Sequence, residues 1–528
     1  MAESILQAAL ARASEGMEIA AVAARAPDRP AVYSDVGNLS FGELNAQVNQ
    51  IANRLLEAGL QPGDAIALAC GNRPEFVVVR FAAHRLGLRL TTVNWHLAAD
   101  EVAYIVDNCD ALALFMDIRL GDAAHRAKTA SSQLRLLVAI GGELDGYEDW
   151  LSCLWGRSSA DIERPRLGTT MLYTSGTTGR PKGVLRKQPD PAKAATMQAL
   201  LTAVFQFEPE SGTDLVLATG PLYHSGPFNL CMTAPLTAGV GCVLMDKWSP
   251  EETLALITRY RITHTYFVPT MMNRLLDLDS DVRDAADVST LRFVIHGGAP
   301  CPIDVKQRMM DWLGPIIWEI FAGTEGHGTI VSPQDWLSKP GTVGKPGEGQ
   351  IQILDDKLSP VEANVVGTLY LANPAESSFS YYKDEEKTAN AQKDGYFTAG
   401  DMGYLDQDGF LFLTGRSAEV IVSGGVNIYP QEIDNVLIQH SAVADVACVG
   451  VPDSDLGEVV KAVVVVKEGL AASGTLEAEL LALCEGKIAK QKWPRSFDFR
   501  EALPRSKAGK VQRKALRDSY WESASRQI

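Results

Sequence analysis

At 528 residues the chain is longer than one ordinary hydrophobic core organises, so two or more domains are expected. Hydrophobic residues make up 46% and charged residues 22%, the balance of a soluble globular protein. A formal net charge of −16 excludes the broad positive footprint that nucleic acid requires, so any anion must be met by locally gathered cations or aimed backbone N–H groups.

Residues 1–24 carry early acidic positions and lack the charged-then-apolar pattern of a signal segment. No apolar run approaches the roughly 20 residues of a membrane span, so a cytoplasmic protein is expected. The eight cysteines show no zinc or dithiol spacing and sit mostly in apolar runs, as small core residues in a reducing compartment do.

Leu44, Val48, Ile51, Ala52 and Leu55 form one helical stripe that stops at Gly59. Residues 65–70 read as a buried strand, followed by a turn and a helix over 75–86. The same alternation recurs around strands at 215–218, 263–268 and 293–295, which points to α/β layers with largely parallel sheet. From about Gly341 short strands at 349–354, 367–371 and 409–413 are broken by glycine and acidic turns, the pattern of an antiparallel module. After Arg416 a new α+β set begins. It comprises helices at 430–440 and 475–489, strands at 443–451 and 459–466, and a basic tail, which places a boundary between 415 and 416.

The most informative segment is Thr174-Ser-Gly-Thr-Thr-Gly-Arg-Pro-Lys-Gly183. It leaves the apolar Met171-Leu-Tyr173 strand, and its glycines let N–H groups turn inward beside hydroxyls and two cations, a cradle for polyphosphate. It is not a Walker A loop, because the lysine lies three residues beyond Gly179 and is followed by glycine. Further along come Pro221-Leu-Tyr-His-Ser-Gly-Pro227, Gly297-Gly-Ala-Pro300, Phe321-Ala-Gly-Thr-Glu325, Tyr396-Phe-Thr-Ala-Gly-Asp401, Ser423-Gly-Gly-Val-Asn-Ile-Tyr-Pro430 and Leu503-Pro-Arg-Ser-Lys-Ala-Gly-Lys-Val-Gln-Arg513.

Together, and in this order, these segments resemble the adenylate-forming superfamily of acyl-CoA synthetases, luciferases and peptide-synthetase adenylation domains. The resemblance runs from about Pro27 to Arg517. It implies a large N-terminal domain (1–415) of mixed sheets, flanking helices and a β-barrel-like module, with a small mobile α+β domain (416–528). It also implies an ATP-dependent carboxylic acid–CoA ligase that works through an acyl-adenylate and releases pyrophosphate and AMP. ATP, Mg²⁺ and coenzyme A are the expected cofactors, and a homodimer is an admissible assembly.

By the same resemblance Thr174, Ser175, Gly176, Thr177, Thr178, Gly179 and Lys182 hold phosphates, and Gly298, Ala299 and Pro300 lie along adenine and the acyl pocket. Phe321 stacks on adenine, Ala322 and Gly323 continue the same cofactor-binding segment with Ala322 narrowing the space beside the acyl group, Thr324 touches the α-phosphate, and Glu325 binds Mg²⁺, which alone makes a carboxylate sensible beside phosphates. His224 flanks the acyl carboxylate, Asp401 and Arg416 reach the ribose, Gly424 and Gly425 face the pantetheine, and Lys510 is the catalytic lysine. Phe321 and Ala322 depart from the family's Tyr-Gly, and Ala418 replaces the usual hinge Asp or Lys.

Between Lys487 and Lys514 ten basic residues face two acidic ones, a cluster suited to the phosphates of ATP and of coenzyme A. Tyr266, Phe267, His296 and Phe228 are expected near the acyl tunnel and favour an apolar, fatty or similar, acid over an amino acid. Rival readings are a ligase that loads a carrier protein, a luciferase-like oxidation, and an idle acyl- or nucleotide-binding sensor. Retention of Lys510, Glu325 and the glycine-rich loop argues against the last.

Overall fold

The structure is a computed structural model that describes residues 3–174, 181–188, 190–375, 377–424, 426–453, 455–506 and 509–521. The helix Phe41–Glu57 shows how local chemistry sets the elements. Ser40 Oγ accepts from the Glu43 N–H at 3.2 Å while a Glu43 carboxylate oxygen accepts from the Ser40 N–H at 2.8 Å. A reciprocal cap of this kind is worth about 1 kcal/mol. Its stripe of Leu44, Val48, Ile51, Ala52 and Leu55 is fully buried, and the chain leaves it through Gly59 at φ +80°.

Two eight-stranded sheets form the large part of the molecule. One runs edge to edge through Phe379–Tyr381, Lys182–Arg186, Thr169–Thr174, Arg89–Thr92, Ala65–Ala69, Ala111–Asp117, Leu136–Ile140 and Glu148–Asp149. It is parallel from Thr169–Thr174 onward, and its first two pairings are antiparallel. The other runs through His327–Val331, Ile317–Ala322, Phe293–Gly297, His264–Phe267, Leu215–Ala218, Gly241–Leu244, Pro30–Tyr33 and Leu39–Ser40, with only the two edge pairings antiparallel. Side chains from both sheets and from helices Phe41–Glu57 and Pro74–Arg85 meet in one continuous core.

A six-stranded antiparallel sheet follows, built from Ile351–Leu354, Gly367–Ala372, Gln392–Lys393, Tyr396–Phe397, Asp401–Leu405 and Leu411–Arg416. Beyond the exposed turn Ser417–Glu419, which carries Ala418, the chain forms a five-stranded sheet with its own buried clusters. The helix expected over 475–489 is shorter, Gly474–Cys484, because Glu485 is already extended and Gly486 takes φ +73°. Seven of the eight cysteines are buried, and all are free thiols.

Candidate active site

Thr174 and Lys182 are cross-strand partners at the open end of an antiparallel hairpin. Ser175, Gly176, Thr177, Thr178 and Gly179 lie between them, outside the described residues, as does Gly425. The Lys182 ammonium sits 4.7 Å from the centre of the Tyr381 ring, and the Tyr381 hydroxyl donates to the Glu325 carboxylate at 3.1 Å. Burial first, and then the neighbouring Lys387 ammonium, bring the Lys182 pKa down to about 8, against the pull of Glu325 and Asp384. Arg186, at the far end of the same strand, is also lowered by burial while Glu325 opposes the shift. Cations thus gather around Glu325 in a chain that is acidic overall, and such a field favours a polyanion.

The strand Ile317–Ala322 delivers Phe321, Ala322 and Gly323 to a turn closed by the Gly323 N–H donating to the Gly326 carbonyl at 3.0 Å; Thr324 and Glu325 lie in its bend. The Phe321 ring covers Gly328, where an added Cβ would come within 2.6 Å of it. On the neighbouring parallel strand Gly298 turns at φ +81°, and Ala299 and Pro300 follow it to the surface. A Cβ on Gly298 would meet the Tyr266 hydroxyl at 3.1 Å, and a Cβ on Gly226 would meet it at the same distance. Tyr266 therefore stands between the two loops that carry His224 and Ala299.

Of the residues expected around an acyl tunnel, Tyr266 and Phe228 share the core beneath these loops, but Phe267 and His296 do not. Successive strand residues face opposite sides, so Phe267 follows Tyr266 onto the far face of the sheet, and His296 meets Glu319 and Lys306 instead.

His224 is no hydrogen-bonded core histidine at its Nε2, which is buried and without a partner among the described residues. Burial, then the nearby charges of Lys510 and His96, lower its pKa to about 4, so the ring is neutral at pH 7. The adjacent Tyr223 hydroxyl meets His96 Nδ1 at 3.1 Å, and the His96 ring stacks on Trp95 at 3.7 Å. His96, Tyr223, Tyr381 and Lys387 are the residues that sequence reading missed. Only Tyr223 lies inside a recognised segment; His96 reaches the site from a distant turn, Tyr381 from a strand and Lys387 from a helix.

Asp401 and Arg416 face each other across adjacent strands, with the guanidinium donating to the carboxylate at 2.9 Å. Lys510 arrives beside them. Its side chain keeps contact with solvent, yet surrounding protein and then Arg416 hold its pKa below the ordinary lysine value, against the pull of Asp401 and Glu325. The preceding Gly509 takes φ +79°, and a Cβ there would meet Thr270 Oγ1 at 2.8 Å and Val268 Cγ2 at 3.5 Å. On either side, Arg505 binds Asp445 at 2.7 Å and Arg513 binds Glu419 at 3.2 Å and also Asp434. Gly424, at φ +57°, donates its N–H to the Leu456 carbonyl at 2.8 Å.

The basic stretch 487–514 is less free than its composition suggested. Lys492 pairs with Glu432, Arg500 with Asp498, Arg505 with Asp445 and Arg513 with Glu419 and Asp434. These cations serve the small sheet's own fold rather than an open phosphate surface.

Comparison with known proteins decides what this arrangement belongs to. The AMP-binding enzyme family model matches residues 19–382, and the AMP-binding enzyme C-terminal domain matches 432–510. The chain belongs to the AMP-binding enzyme family. It is 33% identical to an indoleacetate–CoA ligase of Aromatoleum aromaticum, over 95% of this chain and 96% of that protein. It is 30% identical to a fatty acid–[acyl-carrier-protein] ligase of Streptomyces coeruleorubidus, over 95% of both chains. The fold also matches the crystal structure of an anthranilate CoA ligase in complex with anthranoyl-AMP, with a TM-score of 0.87 at 24% identity, covering 96% of this chain and 97% of that one. As a member of this family the chain is an AMP-forming acid–thiol ligase that works through an acyl-adenylate.

Proposed function

We propose that the chain joins an apolar-bodied carboxylic acid to coenzyme A at the expense of ATP, with 1–415 binding ATP and acid and 416–528 moving as the part that carries Lys510. The observation that supports this most is the convergence of Lys510, from the small sheet's side, with Glu325, Asp401 and His224 of the large part and with Arg416 at the boundary. The buried Tyr266 and Phe228 beneath the Gly226 and Gly298 loops favour an apolar acyl body.

In the first half-reaction a carboxylate oxygen of the acid attacks the α-phosphorus of ATP, and the bond to the β-phosphate oxygen breaks to release pyrophosphate. Little covalent work falls to the protein, so catalysis is positioning and charge neutralisation. Lys182 and the glycine-rich loop hold the phosphates, Asp401 and Arg416 hold the ribose, and Phe321 covers adenine. Lys510 meets the negative charge that develops between acid and α-phosphate. Glu325 offers a carboxylate oxygen beside Lys182 and Tyr381, a donor set that suits an ion held mainly by substrate phosphates and water, as Mg²⁺ is. That ion would supply further neutralisation of the triphosphate.

In the second half-reaction the pantetheine thiol, shedding its proton, attacks the acyl carbon, and AMP leaves with the electron pair of the C–O bond. No protein nucleophile is needed. His224, neutral and with an Nε2 that has no partner among the described residues, borders the acyl carboxyl and can donate or accept a hydrogen bond there.

A panel of aliphatic, aryl and arylalkyl acids, assayed for acid-dependent pyrophosphate release and then for product with coenzyme A or with purified carrier protein, tests the reading. Acid-dependent release that yields acyl-CoA supports it. Acylation of carrier alone would move the acceptor, and no release with any acid would overturn the ligase reading.

A further inference from the structure

Behind the sheet, on the face opposite Tyr266, lies a charged group that the reaction scheme does not use. The Lys306 ammonium meets the Glu319 carboxylate at 2.8 Å, and His296 Nε2 lies 3.4 Å from the same oxygen. Lys306 and His296 are fully buried, and Glu319 is 7% exposed. The ammonium also faces the Trp336 ring at 4.9 Å. A buried ion pair is a poor source of stability, because desolvating two charges offsets much of their attraction, and apolar replacements are often neutral or better. Its value to a fold is to fix geometry.

The geometry it fixes is specific. His296 and Glu319 are register partners on adjacent parallel strands. One residue beyond His296 begins Gly297-Gly-Ala-Pro300, and two beyond Glu319 begins Phe321-Ala-Gly-Thr-Glu325. The strands are so close there that a Cβ on Gly297 would come within 2.6 Å of the Ile320 carbonyl oxygen. Lys306 stands on the helix Ile303–Leu313, which starts three residues after that first turn ends. One carboxylate therefore ties together the three elements that leave the nucleotide side of the sheet.

We propose that Lys306 and Glu319, flanked by His296, are positioning residues that hold the Gly297–Pro300 turn and the Phe321–Glu325 segment in the relative placement that ATP requires. This rests on the adenylation reading of the site. A misplacement of about 1 Å at such a distance from the chemistry can cost roughly 100-fold in rate.

The test uses the full-length protein with Lys306→Met, Glu319→Gln and both changes together. Three readouts are taken: thermal midpoint, ATP dependence of acid-driven ATP–pyrophosphate exchange, and the rate of thiol attack on a supplied acyl-adenylate. Lys306→Met alone leaves the buried Glu319 carboxylate without its ammonium partner and is expected to lose stability. The double variant, neutral throughout, is expected to melt close to the parent while its KM for ATP rises about 10-fold or more and its kcat for thiol attack stays within about two-fold. A double variant that regains both the melting point and the parent KM for ATP would overturn the proposal and leave the pair a purely structural contact. If Lys306→Met does not fold, Glu319→Gln and the double variant carry the same comparison. Absence of exchange in the parent protein would be a failure of the adenylation reading itself, and is visible before any variant is made.

Discussion

Gly509→Ala probes the contact that brings Lys510 into the site. Gly509 has φ +79°, so alanine there carries a left-handed penalty of about 1–2 kcal/mol. The turn's own bonds, Gly509 N–H to the Ser506 carbonyl at 2.8 Å and Ser506 N–H to the Lys510 carbonyl at 2.7 Å, keep this backbone conformation when the turn moves as a unit, so that cost cancels between its positions. The contact does not cancel: the new Cβ would lie 2.8 Å from Thr270 Oγ1 and 3.5 Å from Val268 Cγ2 only while the loop rests against the large part. Overpacking of this size costs about 1–3 kcal/mol, which lowers adenylation roughly 5- to 150-fold if the docked loop is the adenylating one. Thiol attack on a supplied acyl-adenylate should change little. Adding Thr270→Ala removes the hydroxyl and should return most of the lost exchange activity. Equal slowing of both half-reactions, or no rescue by Thr270→Ala, would refute the reasoning.

Lys510→Ala should cut ATP–pyrophosphate exchange about 100-fold or more, the scale of losing one charge aimed at a transition state, while thiolysis of supplied acyl-adenylate stays largely intact. His224→Phe should flatten the pH dependence of stability. The folded pKa of about 4 lies below the ordinary histidine value of 6.5, so the unfolded chain binds a proton that the fold refuses. The neutral ring's contribution is whole above about pH 6.5 and is lost as pH falls toward about 4, on the order of 3 kcal/mol in all; urea unfolding across that window measures it. Asp401→Asn, which weakens the 2.9 Å pair with Arg416, should raise the KM for ATP several-fold in exchange assays and leave the melting temperature nearly unchanged, because both groups are partly solvated.

Much of the fold could be read from the chain because its signals are local. The Phe41–Glu57 stripe, the strand at Leu215–Ala218 and the restart after Arg416 are all set by residue period and by glycine turns. The strand Lys182–Arg186 that follows the glycine-rich loop is not among the strands that residue period indicates, because only its pairing with Thr169–Thr174 and Phe379–Tyr381 makes it one. What the sequence hid depends on partners far along the chain. Tyr381 reaches Glu325, and His96 reaches Tyr223, only because strands and loops distant in sequence are brought together. Phe267 and His296, expected with Tyr266 near an acyl tunnel, sit on the opposite face of the sheet because successive strand residues alternate. Four of the ten cations of the basic tail, Lys492, Arg500, Arg505 and Arg513, are held by Glu432, Asp498, Asp445, Glu419 and Asp434, pairings that composition alone does not reveal.

The central claim is that the acid's own oxygen becomes bonded to the α-phosphorus of ATP. Turnover of an accepted acid labelled with ¹⁸O in its carboxylate, with the label followed by mass spectrometry into AMP, pyrophosphate and acyl product, tests this directly. The account predicts one labelled oxygen in AMP and none in pyrophosphate. Unlabelled AMP, or label in pyrophosphate or inorganic phosphate, would contradict it.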